Sequence, residues 1–403
     1  MNILHTSDWH LGQRFFDRDR HEEHQAFLDH LLGVIEEKEV GLLIVAGDIF
    51  DTANPPRDAE KLYFSFLTRL AALGHCKAII VGGNHDSAPH LDAPAPVLDA
   101  LSVTVIGAMP EHPQGALIYV PEMDESESGV WVAAVPYLRD RDVRKAVAGE
   151  SFDELSARTR AGIRAVYADM AELAKAKEEP VIATGHLTAL GSSVGESDSE
   201  RSIHIGNLGS ISGGDFSDVF SYVALGHIHT PQAVGGRENV RYSGSPIALS
   251  FGERNQTKEL RLIHLSKEGL THEALEVPAF RRLERLKGTP GELEAKLEAL
   301  GALEHAKTPW VELVLESATG SSTVSDELRV FASEHGVDVL KVGVSPSQSR
   351  GHALADASVS ISEMKPLEVF EKRLDEADDD IDRETLTQCF LSLLEKAQEG
   401  EDA

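Results

Sequence analysis

The chain is short of sulfur, of basic residues and of long apolar runs, and each shortage excludes something. Two cysteines in 403 residues, Cys76 and Cys389, cannot make a disulfide framework and are too few for a thiolate zinc site. Reduced thiols in a cytosolic protein are the simple reading. No apolar run approaches membrane-spanning length, and no basic segment followed by an apolar one opens the sequence, so the expectation is a cytoplasmic protein. Lys and Arg number 38 against 67 Asp and Glu, a formal charge of −29. That balance argues against a broad basic face that grips nucleic acid through its phosphates. It still admits a DNA substrate, because bound divalent metals or a partner subunit can supply positive charge locally.

What is present is the texture of a layered α/β protein with smaller parts behind it. Residues 21–37 read as a helix with Phe27, Leu28, Leu31, Leu32 and Ile35 on its buried face. Residues 40–46 form a continuous apolar run, the pattern of a strand covered on both faces. Leu62, Phe66, Leu70 and Leu73 follow at helical spacing, with Gly74 suited to the helix end. Residues 78–81, 130–135, 181–183 and 222–225 read as further buried strands, and Ser151-x-x-Glu154 is a capping box opening a long helix. Strand alternating with helix predicts a layered α/β domain over 1–278. Within it, residues 190–215 are rich in Gly and Ser and read as a long functional loop. Residues 279–350 hold a second capping box, Thr289-Pro290-x-Glu292, a half-exposed strand on Val311, Leu313 and Leu315, a helix near 326–335 and a strand at 337–344. Residues 351–403 carry two amphipathic helices, which either pack on their own domain or dock a partner.

Five strand ends carry the chemistry. They read Asp8-Trp9-His10, Gly47-Asp48-Ile49-Phe50-Asp51, Gly83-Asn84-His85-Asp86, Gly185-His186 and Gly226-His227-Ile228-His229. In sheets of this kind ligands bind outside the carboxyl ends of the strands, where successive loops converge. Oxygen and imidazole donors without sulfur suit Mn, Fe or Zn. Asp8, His10, Asp48, Asn84, His186, His227 and His229 are too many for one ion and suit two ions sharing a bridging carboxylate. Two such ions clamp a phosphoryl group and generate hydroxide at neutral pH, which predicts hydrolysis of a phosphate ester. Asp-x-His alone, or His186 alone, would carry nothing.

In this order the motifs are those of the calcineurin-like metallophosphoesterases, which the chain resembles. It is similar in particular to the SbcD family, the nuclease subunits of bacterial SbcC–SbcD complexes. The matching stretches are Thr6-Ser7-Asp8-Trp9-His10-Leu11-Gly12, Gly185-His186-Leu187-Thr188, Ser199-Glu200-Arg201 with Ile205-Gly206, the Gly-His-x-His motif and Tyr242-Ser243-Gly244-Ser245-Pro246. At lower specificity the resemblance reaches Arg281-Arg282-Leu283 and Pro366-Leu367-Glu368-Val369-Phe370.

The resemblance implies a four-layer αββα sandwich, with 279–350 as a DNA-capping domain and 351–403 as a dock for SbcC, an SMC-like coiled-coil ATPase. It implies one metal on Asp8, His10, Asp48 and His229, and a second on Asp48, Asn84, His186 and His227, with Mn²⁺ as the ion. His85 would act as general acid on the leaving oxygen. Asp51 would orient His85 through its carboxylate. The implied activity is that of a DNA nuclease in repair, replication and recombination. It would comprise ATP-dependent 3′→5′ duplex exonuclease and single-strand or hairpin endonuclease, with two copies forming a homodimer within a heterotetramer. A small-molecule phosphodiesterase and a non-catalytic clamp subunit are the rival readings. The remaining candidates take structural readings: His21, His24 and His30 facing solvent, His5 packed, Trp9 in the core, and Arg14, Arg18 and Arg20 in a solvated loop or on phosphates.

Overall fold

The computed structural model describes residues 1–122, 129–144, 151–190, 210–266, 269–316 and 322–344, with Phe370, Leu374, Leu386, Thr387, Phe390 and Leu391 beyond them. The chain divides into two units, Met1–Ser345 and Pro346–Ala403. No helix among the described residues is long and apolar enough to cross a membrane.

The first sheet grows from the apolar runs. Strands β1 (Asn2–Thr6), β2 (Val40–Ala46), β3 (Lys77–Val81) and β4 (Val103–Ile106) pair in parallel in that order. The second sheet holds β5 (Leu117–Pro121), β6 (Gly129–Ala133), β7 (Val181–His186), β8 (Phe220–Gly226), β9 (Gln232–Val234) and β10 (Arg237–Tyr242). Its order is β9-β10-β8-β7-β6-β5, with β7 and β8 at the centre. The hairpin β11 (Lys258–Ser266) and β12 (Gly269–Val277) then returns to the first sheet, where β11 lies antiparallel to β1.

Side chains alternate along each strand, which is what makes four layers. Ile3, Leu42, Ile44, Ile79 and Val81 point inward against Val130, Val132, Ile182, Tyr222 and Ala224 of the other sheet. Leu4, Leu43, Val45 and Ile80 point outward, under helix α1 (His21–Glu37) and helix α2 (Arg57–Leu73), which contribute Phe27, Leu31, Phe66 and Leu70. Helix α3 (Phe152–Ala174) covers the outer face of the second sheet with Ile163, Tyr167, Met170 and Ala174. Each fully buried Leu, Ile or Phe is worth about 1.5–3 kcal/mol, so this patterning is ample to fix the αββα order. The capping box at Ser151 and Glu154 forms as the sequence predicts.

A small α/β layer follows. β13 (Leu283–Gly288), β14 (Trp310–Leu315) and β15 (Asp338–Val344) are parallel, with α4 (Pro290–Gly301) and α5 (Ser322–Glu334) packed around Leu293, Leu297, Leu313, Leu328 and Ala332. The expected half-exposed strand is instead central. Glu312 is buried there between Arg285 and Lys341, which compensate its charge. This layer sits on the main body through an apolar seat of Phe15, Phe251, Leu283 and Trp310. In the second unit Phe370 and Phe390 stack face to face, with ring centroids 4.1 Å apart. The remainder of the terminal helical pair, Cys389, and residues 191–209 of the Gly- and Ser-rich loop lie outside the described residues.

Candidate metal centre

The strand ends continue their pairing into the loops. Asp8 N donates to Gly47 O (3.0 Å), His10 N to Asp48 O (3.1 Å) and Leu11 N to Ile49 O (2.9 Å), so the segments after β1 and β2 are zipped together. Asp8, His10, Asp48 and His227 all have positive φ, at 53°, 46°, 49° and 99°. Such a conformation costs a non-glycine residue about 1–3 kcal/mol, and strain of this kind collects at functional sites. Two glycines are dictated by crowding. A Cβ on Gly83 would lie 2.1 Å from Asp48 Oδ1, and one on Gly226 would lie 1.9 Å from Ala46 O.

The structure gathers the candidates into two buried clusters, Asp8 with His10 and His229, and Asp48 with His186 and His227. Asn84 joins the second: its Oδ1 stands 3.0 Å from His186 Nε2 and 2.9 Å from His227 Nδ1. Asp48 Oδ2 lies 3.2 Å from His186 Nε2 and 3.6 Å from His10 Nε2, between the two clusters. Hydrogen bonds fix several donors. His186 Nδ1 faces Ala46 O (2.9 Å) and His10 Nδ1 faces Asp51 Oδ1 (3.1 Å), which leaves both Nε2 atoms turned into the site. His10 Nε2 is buried with no hydrogen-bond partner. Asp8 accepts from Ser7 Oγ (2.5 Å) and from His227 N (2.9 Å). Asn84 Oδ1 and Asp48 Oδ2 thus stand 3.0 and 3.2 Å from His186 Nε2, the spacing of neighbouring ligands on one ion, and Asp48 Oδ2 reaches toward His10 of the other cluster. The residues fit divalent metals.

The Asp48 carboxylate sets the electrostatics of the imidazoles around it. Burial alone would keep His186 neutral, but the Asp48 charge outweighs it and the imidazole is pushed up to about 9. His10 is raised too, as its bond to Asp51 and the Asp48 charge exceed the effect of burial. Asp48 in turn is held well below the usual carboxylate range: burial opposes this, and the charges of His186, His85 and His10 prevail. His227 is held low by burial and by the neighbouring His186.

His85 stands exposed at the rim, its ring 4.9 Å from that of His10. Its main-chain N–H donates to Asp48 Oδ1 (2.9 Å), and its Nδ1 meets the Asp51 carbonyl (2.7 Å). The Asp51 carboxylate takes His10 Nδ1 and its backbone oxygen meets His85 Nδ1, and the Asp51 carboxylate, His10 and His85 gather as a third, less buried group at the rim.

Two functional neighbours went unread in the sequence. Asp86, buried, accepts from the N–H groups of Gly83, Ile49 and Phe50 and locks the two carboxylate-bearing loops together. Its place at the end of Gly-Asn-His-Asp was the signal. Glu253, also buried, is held below the usual carboxylate range; burial opposes this, and the Lys258 charge and His229 outweigh it. No local motif marks it. Among the structural readings, Trp9 is in the core against Phe27 and Phe66, and His5 is buried beside Tyr222. His24 and Arg20 depart from expectation. Both are buried rather than solvated, Arg20 in an ion pair with Glu23 at 2.6 Å. His21 is exposed and His30 half-buried, while Arg14 and Arg18 lie on an exposed hairpin.

Residues 1–231 match the family model for calcineurin-like phosphoesterases, and residues 279–378 match the one described as the type 5 capsule protein repressor C-terminal domain. The chain is 36% identical over 379 residues to the D component of nuclease SbcCD from Escherichia coli K12, spanning 93% of this chain and 92% of that protein. It is 36% identical over 274 residues to the Rhodobacter capsulatus counterpart, spanning 66% and 67%. The Bacillus subtilis counterpart is 32% identical over 265 residues, 65% of this chain and 66% of that protein. With the αββα layers and the two Asp- and His-rich clusters in place, the chain belongs to the calcineurin-like phosphoesterases, on the branch of the SbcD nuclease subunits.

Proposed function

We propose that the chain is a two-metal phosphodiesterase that cuts DNA as the nuclease subunit of a complex with an SbcC-type ATPase. Asp8, His10, Asp48 and His229 would hold one ion, and Asp48, Asn84, His186 and His227 the other, with Mn²⁺ the ion that the family reading favours. Ions bound there clamp a phosphoryl group and provide hydroxide at neutral pH. The chain's own part is to fix the donors and to handle the leaving group. Asp51 O anchors His85 Nδ1, which leaves Nε2 to give a proton to the departing ester oxygen as the P–O bond breaks. The observation that carries this reading is the placement of Asp48 Oδ2 between the two clusters, beside an exposed His85.

The charge of −29 supports dependence on a partner for grip on duplex DNA. Residues 279–350 would cap the DNA, and 351–403 would dock the ATPase. A homodimer within a heterotetramer and a cytoplasmic location complete the family reading. The test is cleavage of a labelled hairpin and a single-stranded oligonucleotide with Mn²⁺, with and without SbcC plus ATP. His85→Ala should lose about 10²–10⁴-fold in rate while retaining its metal. Turnover of small diesters with no cutting of DNA under any condition would overturn the nuclease reading.

A further inference from the structure

Two buried networks leave the small α/β layer and end on the same metal cluster. In the first, Trp310 at the start of β14 stacks on Phe15 at 5.6 Å, and Phe15 packs edge-on against Phe251 at 5.0 Å. Phe251 opens a short turn, Phe251–Glu253, which the buried Glu253 closes. Glu253 Oε2 accepts from Lys258 Nζ (2.6 Å) and Leu249 N (3.1 Å); Oε1 accepts from Ser250 Oγ (3.2 Å) and faces His229 Nδ1 at 3.9 Å. Lys258, itself buried, also donates to His229 O (3.1 Å) and Ser245 Oγ (2.9 Å). One ion pair therefore flanks both the ring and the main chain of His229.

In the second network Arg281 lies over the Trp310 ring at 4.1 Å and donates to Glu23 Oε1 (3.0 Å). Glu23 pairs with Arg20, whose Nη1 reaches Gln13 Oε1 (2.9 Å), and Gln13 N donates to His10 O (3.0 Å). His10 and His229 share a cluster with Asp8. The other cluster is held from within the sandwich: His186 by Ala46 O, and Asp48 by the His85 N–H.

A buried ion pair is poor value as a stabiliser alone, because desolvation offsets its attraction. A carboxylate opposite the second nitrogen of a metal-ligating histidine has a specific use: it fixes the ring and its tautomer. We propose that Glu253, clamped by Lys258, is the positioning residue for His229, and that the seating of the small layer on Phe15 and Phe251 sets ion affinity at the Asp8–His10–His229 cluster alone. This rests on the reading of both clusters as metal sites.

The test is Mn²⁺ titration of the full chain by calorimetry and electron paramagnetic resonance, for the wild type, Glu253→Gln and Trp310→Leu. The wild type should bind two ions and show the signal of a coupled pair. Glu253→Gln should weaken one ion by about 10–100-fold and leave the other unchanged, converting the coupled signal to that of a single ion. Trp310→Leu, which touches none of the candidate ligands, should weaken the same ion to a smaller extent. Equal weakening of both ions, or no change in either with wild-type melting, would overturn the inference. Should Glu253→Gln fail to fold, an unchanged two-ion isotherm for Trp310→Leu overturns it as well. A wild type that binds fewer than two ions would instead overturn the two-metal reading beneath it.

Discussion

Asp86→Asn separates two effects that the folded site sets against each other. The carboxylate takes Gly83 N (2.8 Å) and Ile49 N (3.1 Å) at Oδ2 and Phe50 N (2.9 Å) at Oδ1. An asparagine keeps one acceptor oxygen. Placed at the Oδ2 position it serves two donors, and its NH₂ then confronts the Phe50 N–H, donor against donor. One charge-assisted bond lost and one buried donor stranded cost about 3 kcal/mol. In the other direction, burial and the Asp48 charge hold the Asp86 carboxyl above the usual range in spite of its three donors, so removing its charge relieves a repulsion. Divalent ions would compensate the Asp48 charge, and the relief would then vanish. The expected outcome is a loss of about 3 kcal/mol with Mn²⁺ bound and a smaller loss in chelator. The difference is lost metal affinity, about tenfold for each 1.4 kcal/mol. Scanning calorimetry of both proteins in saturating Mn²⁺ and in EDTA reads it directly. A larger loss in EDTA than in Mn²⁺ would refute the reasoning, because the repulsion would then be doing nothing.

Two further outcomes follow from buried charges. The folded metal-free protein holds the His186 proton up to about pH 9, above the ordinary 6.5, so this proton stabilises the fold fully below pH 6.5 and ceases to do so above 9. Melting in EDTA should therefore fall as pH rises through that window, while Mn²⁺ affinity rises because the ion displaces the proton; a flat affinity profile would count against the site. Arg20→Met leaves Glu23 buried, with Arg281 as its remaining cation among the described residues, at 3.0 Å. Loss of a buried partner costs roughly 3–5 kcal/mol, and Arg281 places this case at the low end. Urea denaturation showing less than about 1 kcal/mol would mean that the pair is not buried in solution.

The sequence by itself determined the layers and picked out the candidate ligands that the fold gathers. Apolar runs of strand length at 40–46 and 78–81 can be satisfied only by cover on both faces, and helical periodicity in α1 and α2 supplies one cover. The strand-end motifs were legible because each keeps its donors within a few residues of a glycine. Tertiary structure decided what local pattern cannot carry. The Asp51 carboxylate hydrogen-bonds His10 Nδ1, a pairing that the main-chain bonds zipping the loops after β1 and β2 bring about and that the spacing of the motifs does not show. Arg20 and His24 look solvated in a charged stretch, yet both are buried: Arg20 reaches Gln13 Oε1 and Ala248 O from distant segments, and Arg281 supplies a second charge to Glu23. Glu253 lies 24 positions from His229 in a segment without a motif, and only the return of β11 to β1 brings the Lys258–Glu253 pair under that ring. Periodicity and spacing are local quantities, whereas the neighbours of a buried charge are set by which distant strand closes the sheet.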